Sequence, residues 1–139
     1  WDLLPCPTQY SVENEPGWDV ICNNIKYEIK IQSSENCCVE LRKIRSGVKC
    51  GINTTESTYY IMVNKYRYND TWVGIIRIIP VADMFQNIKQ QGTKITTYES
   101  KPEIITYIDP DKLPNVVNLG IIDFDSVEIS YDFSTFRLL

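Results

Sequence analysis

Apolar residues occupy every second position in several stretches of this chain. Ile25, Tyr27, Ile29 and Ile31 alternate with Lys26, Glu28, Lys30 and Gln32, the period-2 pattern of a strand with one buried and one wet face. After the turn "SSEN", Cys37, Val39 and Leu41 fall on one face of a second strand, and Cys38, Glu40 and Arg42 on the other. The stretches "TYYIMVNKYRY" and "WVGIIRIIP", separated by the "NDT" turn, predict a hairpin whose second strand is apolar enough to be buried on both faces. Pro80 ends that strand. Val81, Met84, Phe85 and Ile88 then recur at helical spacing before Gly92, which predicts one short helix.

Lys94 to Tyr98, Glu103 to Ile108, "VVNLGIIDF" and "SVEISYDF" complete a count of about seven to nine strands with frequent turns. This predicts an all-β domain, an antiparallel β-sandwich of jelly-roll-like form. Residues 1–22, with Pro5, Pro7, Pro16 and Gly17, read as an irregular lead-in tied down by Cys6 and Cys22, with a short strand around Asp19 to Cys22. The 139 residues make a single domain, 1–139, of the commonest size.

Composition narrows the function. With 14 Lys and Arg against 18 Asp and Glu, a net charge of −4, nucleic acid is an unsuitable partner, since its affinity rests on basic residues neutralising phosphates. The chain has no histidine, which removes Ser-His-Asp and Cys-His catalysis and most catalytic zinc sites. Its six glycines stand singly, so no phosphate-cradling loop is present and no cofactor is expected. No membrane span is expected either. The most apolar stretch, "WVGIIRIIPVADMF", is cut by Arg77, Pro80 and Asp83, well short of the ~18 apolar residues a crossing helix needs.

Five cysteines without CxxC spacing predict disulfides and an oxidising compartment. Two N-glycosylation sequons, at Asn53 and Asn69, point the same way, to a secreted glycoprotein. The absence of a first methionine at Trp1 is what removal of a signal peptide or excision from a longer chain produces. The adjacent Cys37 and Cys38 point to opposite faces and so have different jobs. Cys6, Cys22, Cys37 and Cys50 are expected to form two internal bonds. Cys38, on the polar face, is expected to make an intermolecular bond and link a disulfide-bonded oligomer.

Exposed flat rings suit sugar faces and protein hot spots, and Tyr66, Tyr68 and Trp72 are the candidates, close together around one proposed hairpin tip. A weaker grouping, Asp109 and Asp111 with Asp123 and Asp125, offers oxygen ligands for Ca²⁺, against the reading of two acidic turns. The expected function is a secreted or cell-surface module that binds a glycan or protein partner and is not an enzyme. The alternatives are a lipocalin-like barrel carrying an apolar ligand and a glycosidase using carboxylates alone.

Three stretches, "YEIKIQSSENCCVEL", "YYIMVNKYRYNDTWVGI" and "ITYIDPDKLPNVVNLGIIDF…VEISYDF", resemble the first strand pair, central hairpin and closing strands of the farnesoic acid O-methyltransferase-like domain. The likeness spans about residues 25–133 and departs from the family in lacking its glycine-rich central segment and its late tryptophan, where Tyr131 stands. It implies a β module for binding or scaffolding. It does not imply methyl transfer, because function lives in the site and not in the fold.

Overall fold

The computed structural model describes residues 8–10, 17–90, 95–96, 102–126 and 128–131. In chain order these residues form β1 (Thr8–Tyr10), β2 (Val20–Cys22), β3 (Ile25–Gln32), β4 (Cys37–Lys43), β5 (Tyr59–Tyr68), β6 (Thr71–Pro80), the helix α1 (Val81–Gln90), β7 (Ile95–Thr96), β8 (Glu103–Ile108), β9 (Val117–Asp123) and β10 (Glu128–Tyr131). Short 3₁₀ turns sit at Gly51–Asn53 and Pro110–Lys112. The domain is all-β, as the alternating patterns predict. The lead-in is less irregular than its prolines suggest, because β1 and β2 pair within it.

The strands divide into a seven-stranded sheet in the order β1-β2-β3-β5-β6-β9-β10 and a three-stranded sheet in the order β4-β8-β7. This corrects the expectation of an antiparallel sandwich. The large sheet is mixed, because β3 and β5 run parallel from Tyr27↔Tyr59 to Gln32↔Asn64, and it curls into a half-barrel. Parallel neighbours need a crossover, and β4 with the turn at Gly51–Asn53 supplies it, lying in the other sheet. The two strands flanking "SSEN" therefore do not pair with each other. They are joined instead through the Gln32 side chain, whose amide donates to the Cys38 carbonyl at 2.7 Å and accepts from the Cys38 N–H at 2.8 Å.

Two cores follow from the alternation along β5. Tyr60 and Met62 face the small sheet and pack with Cys37, Val39, Leu41, Ile79 and Ile108, and with Val81 and Met84 of α1. Phe85 and Ile88 complete the helix's apolar face against that core, as their spacing predicts. Ile61 and Val63 point the other way and pack with Val20, Tyr27, Ile76, Ile78 and Leu119. All of these belong to the large sheet, so that sheet encloses its second core by curling. β6 lies between the two cores, which is why it is apolar on both faces.

The β5–β6 hairpin closes through a two-residue turn, Asn69–Asp70, with φ of 47° and 62°. Positive φ at both central residues is the mirror-image turn that matches strand twist, and Asn and Asp are among the residues that tolerate it. The turn fixes the register: Tyr68 faces Thr71, Tyr66 faces Val73, Asn64 faces Ile75 and Met62 faces Arg77.

Candidate functional site

A cavity of about 270 Å³ opens where the small sheet ends, lined by Glu35, Asn36, Asn64, Tyr66, Ile75, Arg77, Asp109 and Asp111. The last pair of the small sheet on this side is Cys37↔Ile108. Beyond it β4 gives way to the Glu35–Asn36 turn and β8 to the 3₁₀ turn at Pro110–Lys112, while β5 and β6 continue. The floor is therefore the stretch of the β5–β6 hairpin that the small sheet leaves uncovered, and the two turns form its walls.

Arg77 is 9 % exposed and Asn64 2 %, and each answers a cost of burial in the other. One guanidinium nitrogen of Arg77 donates to Asn64 Oδ1 at 3.1 Å, and Asn64 Nδ2 donates to the Ser34 carbonyl at 2.8 Å. The amide is thus held at both ends. The second guanidinium nitrogen stands 4.0 Å from Asp111 Oδ1, whose side chain is 85 % exposed. Asp109 accepts the Asp111 N–H at 3.0 Å and so caps the 3₁₀ turn that forms this wall. Burial pushes the neighbouring Cys37 thiol up to about 12, while the charge of Arg77 pulls in the opposite direction.

The structure splits the aromatic candidates. Tyr66 lines the cavity. Tyr68 is on the same strand face but lies out at the hairpin tip, strongly exposed. Trp72 faces the other side, because the two-residue turn sets it opposite Arg67. There its ring lies under Lys65 and Arg67, each 5.3 Å from the centroid, as part of a cation–π cluster that Phe124 extends.

The four aspartates do not assemble. Asp109 and Asp111 border the cavity, whereas Asp123 Oδ1 accepts the N–H groups of Asp125 and Ser126 in a turn of its own. Among the described residues no group of three or more Cys, Asp or Glu side chains is placed to hold a metal ion. The calcium reading is thus corrected to two self-capped acidic turns.

Cys22 is disulfide-bonded, and Cys6 lies outside the described residues. Cys37 and Cys50 are thiols, which corrects the expected second internal bridge. Cys37 is buried near Asn64, Arg77 and Asp109, whereas Cys50 sits half-buried near Glu40, Lys43 and Glu103. Cys38 is also a thiol. It lies half-exposed on the outer face of β4 as its parity predicts, beside a second cavity of about 270 Å³ lined in part by Lys30, Gln32 and Tyr107.

The two sequons differ as well. Asn53 Nδ2, the atom a glycan would occupy, donates to the Leu41 carbonyl at 2.8 Å, whereas Asn69 is exposed at the hairpin turn. Asn64 and Arg77 are the site residues that pattern reading missed. The signal for them was present, as single polar positions within otherwise buried strands. Among the described helices none is long and apolar enough to cross a membrane.

The chain matches no protein-family model, no curated protein and no solved structure.

Proposed function

We propose that this chain is a secreted binding module, without chemistry of its own, whose ligand is a glycan seated in the cavity over Asn64 and Arg77. One observation carries the reading: a single concave site brings together an aromatic face, Tyr66, a fixed amide, Asn64, a cation, Arg77, and the carboxylates of Asp109 and Asp111. Sugars present apolar C–H faces that stack on a ring and hydroxyls that both donate and accept, and this set answers each of those features. The volume, about 270 Å³, falls just under the ~300–1,000 Å³ of sites for drug-sized ligands, which suits one sugar residue of a longer chain.

The carrier alternative has less support. The core enclosed by the large sheet is filled by Tyr27, Ile61, Ile76, Ile78 and Leu119, each at most 1 % exposed, where an apolar ligand would have to sit.

Glycan-array screening followed by NMR titration of the full chain tests the proposal. We expect binding that shifts the Asn64 side-chain amide resonances and weakens about tenfold in Tyr66→Ala, the loss of one good ring contact. Absence of any glycan binding, binding indifferent to Tyr66→Ala, or turnover of the bound sugar would each overturn it.

A further inference from the structure

Arg77 is the one cation among the residues lining the cavity, and its surroundings specify more about the ligand than its hydroxyls. Its guanidinium is desolvated yet spends one hydrogen bond on Asn64, at 3.1 Å. Its nearest carboxylate, Asp111, stands at 4.0 Å, too far for a hydrogen bond. Among the described residues no fully buried side-chain nitrogen or oxygen lacks a partner. The two guanidinium nitrogens that make no hydrogen bond, Nε and Nη2, therefore keep some exposure, and the cavity that Arg77 lines is the accessible space at this point. A planar fork of donors held in a poorly solvated floor matches a carboxylate, which accepts two parallel N–H bonds.

We propose that the cavity takes a sugar bearing a carboxylate, as in uronic and sialic acids, with that group paired to Arg77. The inference rests on the glycan reading and narrows its substrate class. The acidic rim is compatible with it. Glu35 and Asp111 are exposed, so solvent and salt screen their repulsion, and they remain available to accept hydroxyl hydrogens from the ring, while the half-buried Asp109 is screened less but has one oxygen engaged by the Asp111 N–H. A more highly charged phosphate meets the same rim with greater repulsion and is disfavoured.

The test titrates the full chain with methyl glycosides of uronic acids and of sialic acid, each beside its carboxyl methyl ester. At low salt we expect at least one acid to bind about tenfold more tightly than its ester, the worth of one charge-assisted pair, and Arg77→Gln to abolish that preference. Because Arg77 is buried, Asp111→Asn serves as the second variant on an exposed side chain. Losing a hydroxyl acceptor there costs acid and ester alike, so the readout is their ratio: removing the nearest rim carboxylate should raise the preference for acid over ester by about two- to threefold. If acids and esters bind alike, the carboxylate inference falls while glycan binding stands. If neither binds while another glycan does on the array, the carboxylate inference falls alone, and if no glycan binds at all, both fall. A preference that survives in folded Arg77→Gln, or an acid-over-ester ratio that does not rise in Asp111→Asn, also overturns the assignment to Arg77.

Discussion

Two glycines in the crossover between β4 and β5 share a backbone conformation and differ in surroundings, which allows strain and collision to be separated. Gly47 has φ of +68° with no atom within 4 Å of an added Cβ, whereas Gly51 has φ of +56° and its added Cβ would stand 2.3 Å from the Glu40 carbonyl oxygen and 2.7 Å from Glu40 Cβ. An alanine in the left-handed region costs about 1–2 kcal/mol, reduced by the ~0.4–1 kcal/mol that alanine gains by restricting the unfolded chain. Gly47→Ala is therefore expected to cost about 0.5–1 kcal/mol. Gly51→Ala carries the same term plus an overpacking cost of about 1–3 kcal/mol, and the site cannot relax easily. The turn is pinned to β4 by the Cys50 N–H and the Asn53 side chain, which both donate to the Leu41 carbonyl, at 3.1 and 2.8 Å. Glu40 is itself paired with Ile105 in the small sheet. The expected total of about 2–4 kcal/mol is a large part of the ~5–15 kcal/mol that holds a domain together. Urea denaturation followed by circular dichroism measures both variants, and equal stabilities within about 0.5 kcal/mol would refute the collision argument.

Stability should also fall in alkali. Burial raises Cys37 from 9.0 to about 12 and Tyr27 from 10.0 to about 12, and burial shifts Tyr60 in the same direction. The unfolded chain releases these protons first. Their contribution is thus complete below pH 9 and lost as pH rises towards 12, at about 1.4 kcal/mol per pH unit for each group between its two values. A melting temperature flat from about pH 9 to 11 would count against that burial. Cys38, on the outer face of β4, is reachable by a second chain without opening the core. Non-reducing electrophoresis should show a dimer that Cys38→Ser abolishes, and a monomeric wild type or a dimer that survives the substitution would exclude the link.

Local periodicity carried the elements and left their partners open. The alternation in β3, the doubly apolar β6 and the helical spacing of Val81, Met84, Phe85 and Ile88 were legible because each depends on residues a few positions apart. The parallel pairing of β3 with β5 was not, since a strand's side-chain pattern is the same whichever neighbour it has and in whichever direction that neighbour runs. "SSEN" marks a reversal of the chain, but a reversal does not dictate that its flanking strands bond to each other. Here Gln32 takes up the Cys38 backbone groups, and β4 is left to pair with β8. Nearness in the sequence also misplaced Trp72, because grouping residues near a tip ignores which face each one takes after the turn.

Part of the cavity could have been derived before any coordinates. A two-residue Asn-Asp turn sets Tyr68 opposite Thr71, and counting back along both strands puts Asn64 and Arg77 diagonally adjacent on one face. A polar amide and a guanidinium alone in strands otherwise apolar at that depth are costly unless they meet, so their hydrogen bond follows from pattern and turn chemistry together. What no local pattern contains is the place where the small sheet stops. That edge depends on β4 pairing with β8, residues 60 or more positions apart, and it decides that the Asp109–Asp111 turn arrives beside Arg77 as a wall and not over it as a lid. Had the small sheet run one pair further, Asn64 and Arg77 would read as a sealed structural pair. Because it ends at Cys37 and Ile108, the same two residues floor an open cavity, and a guanidinium that one more strand pair would seal stays within reach of solvent.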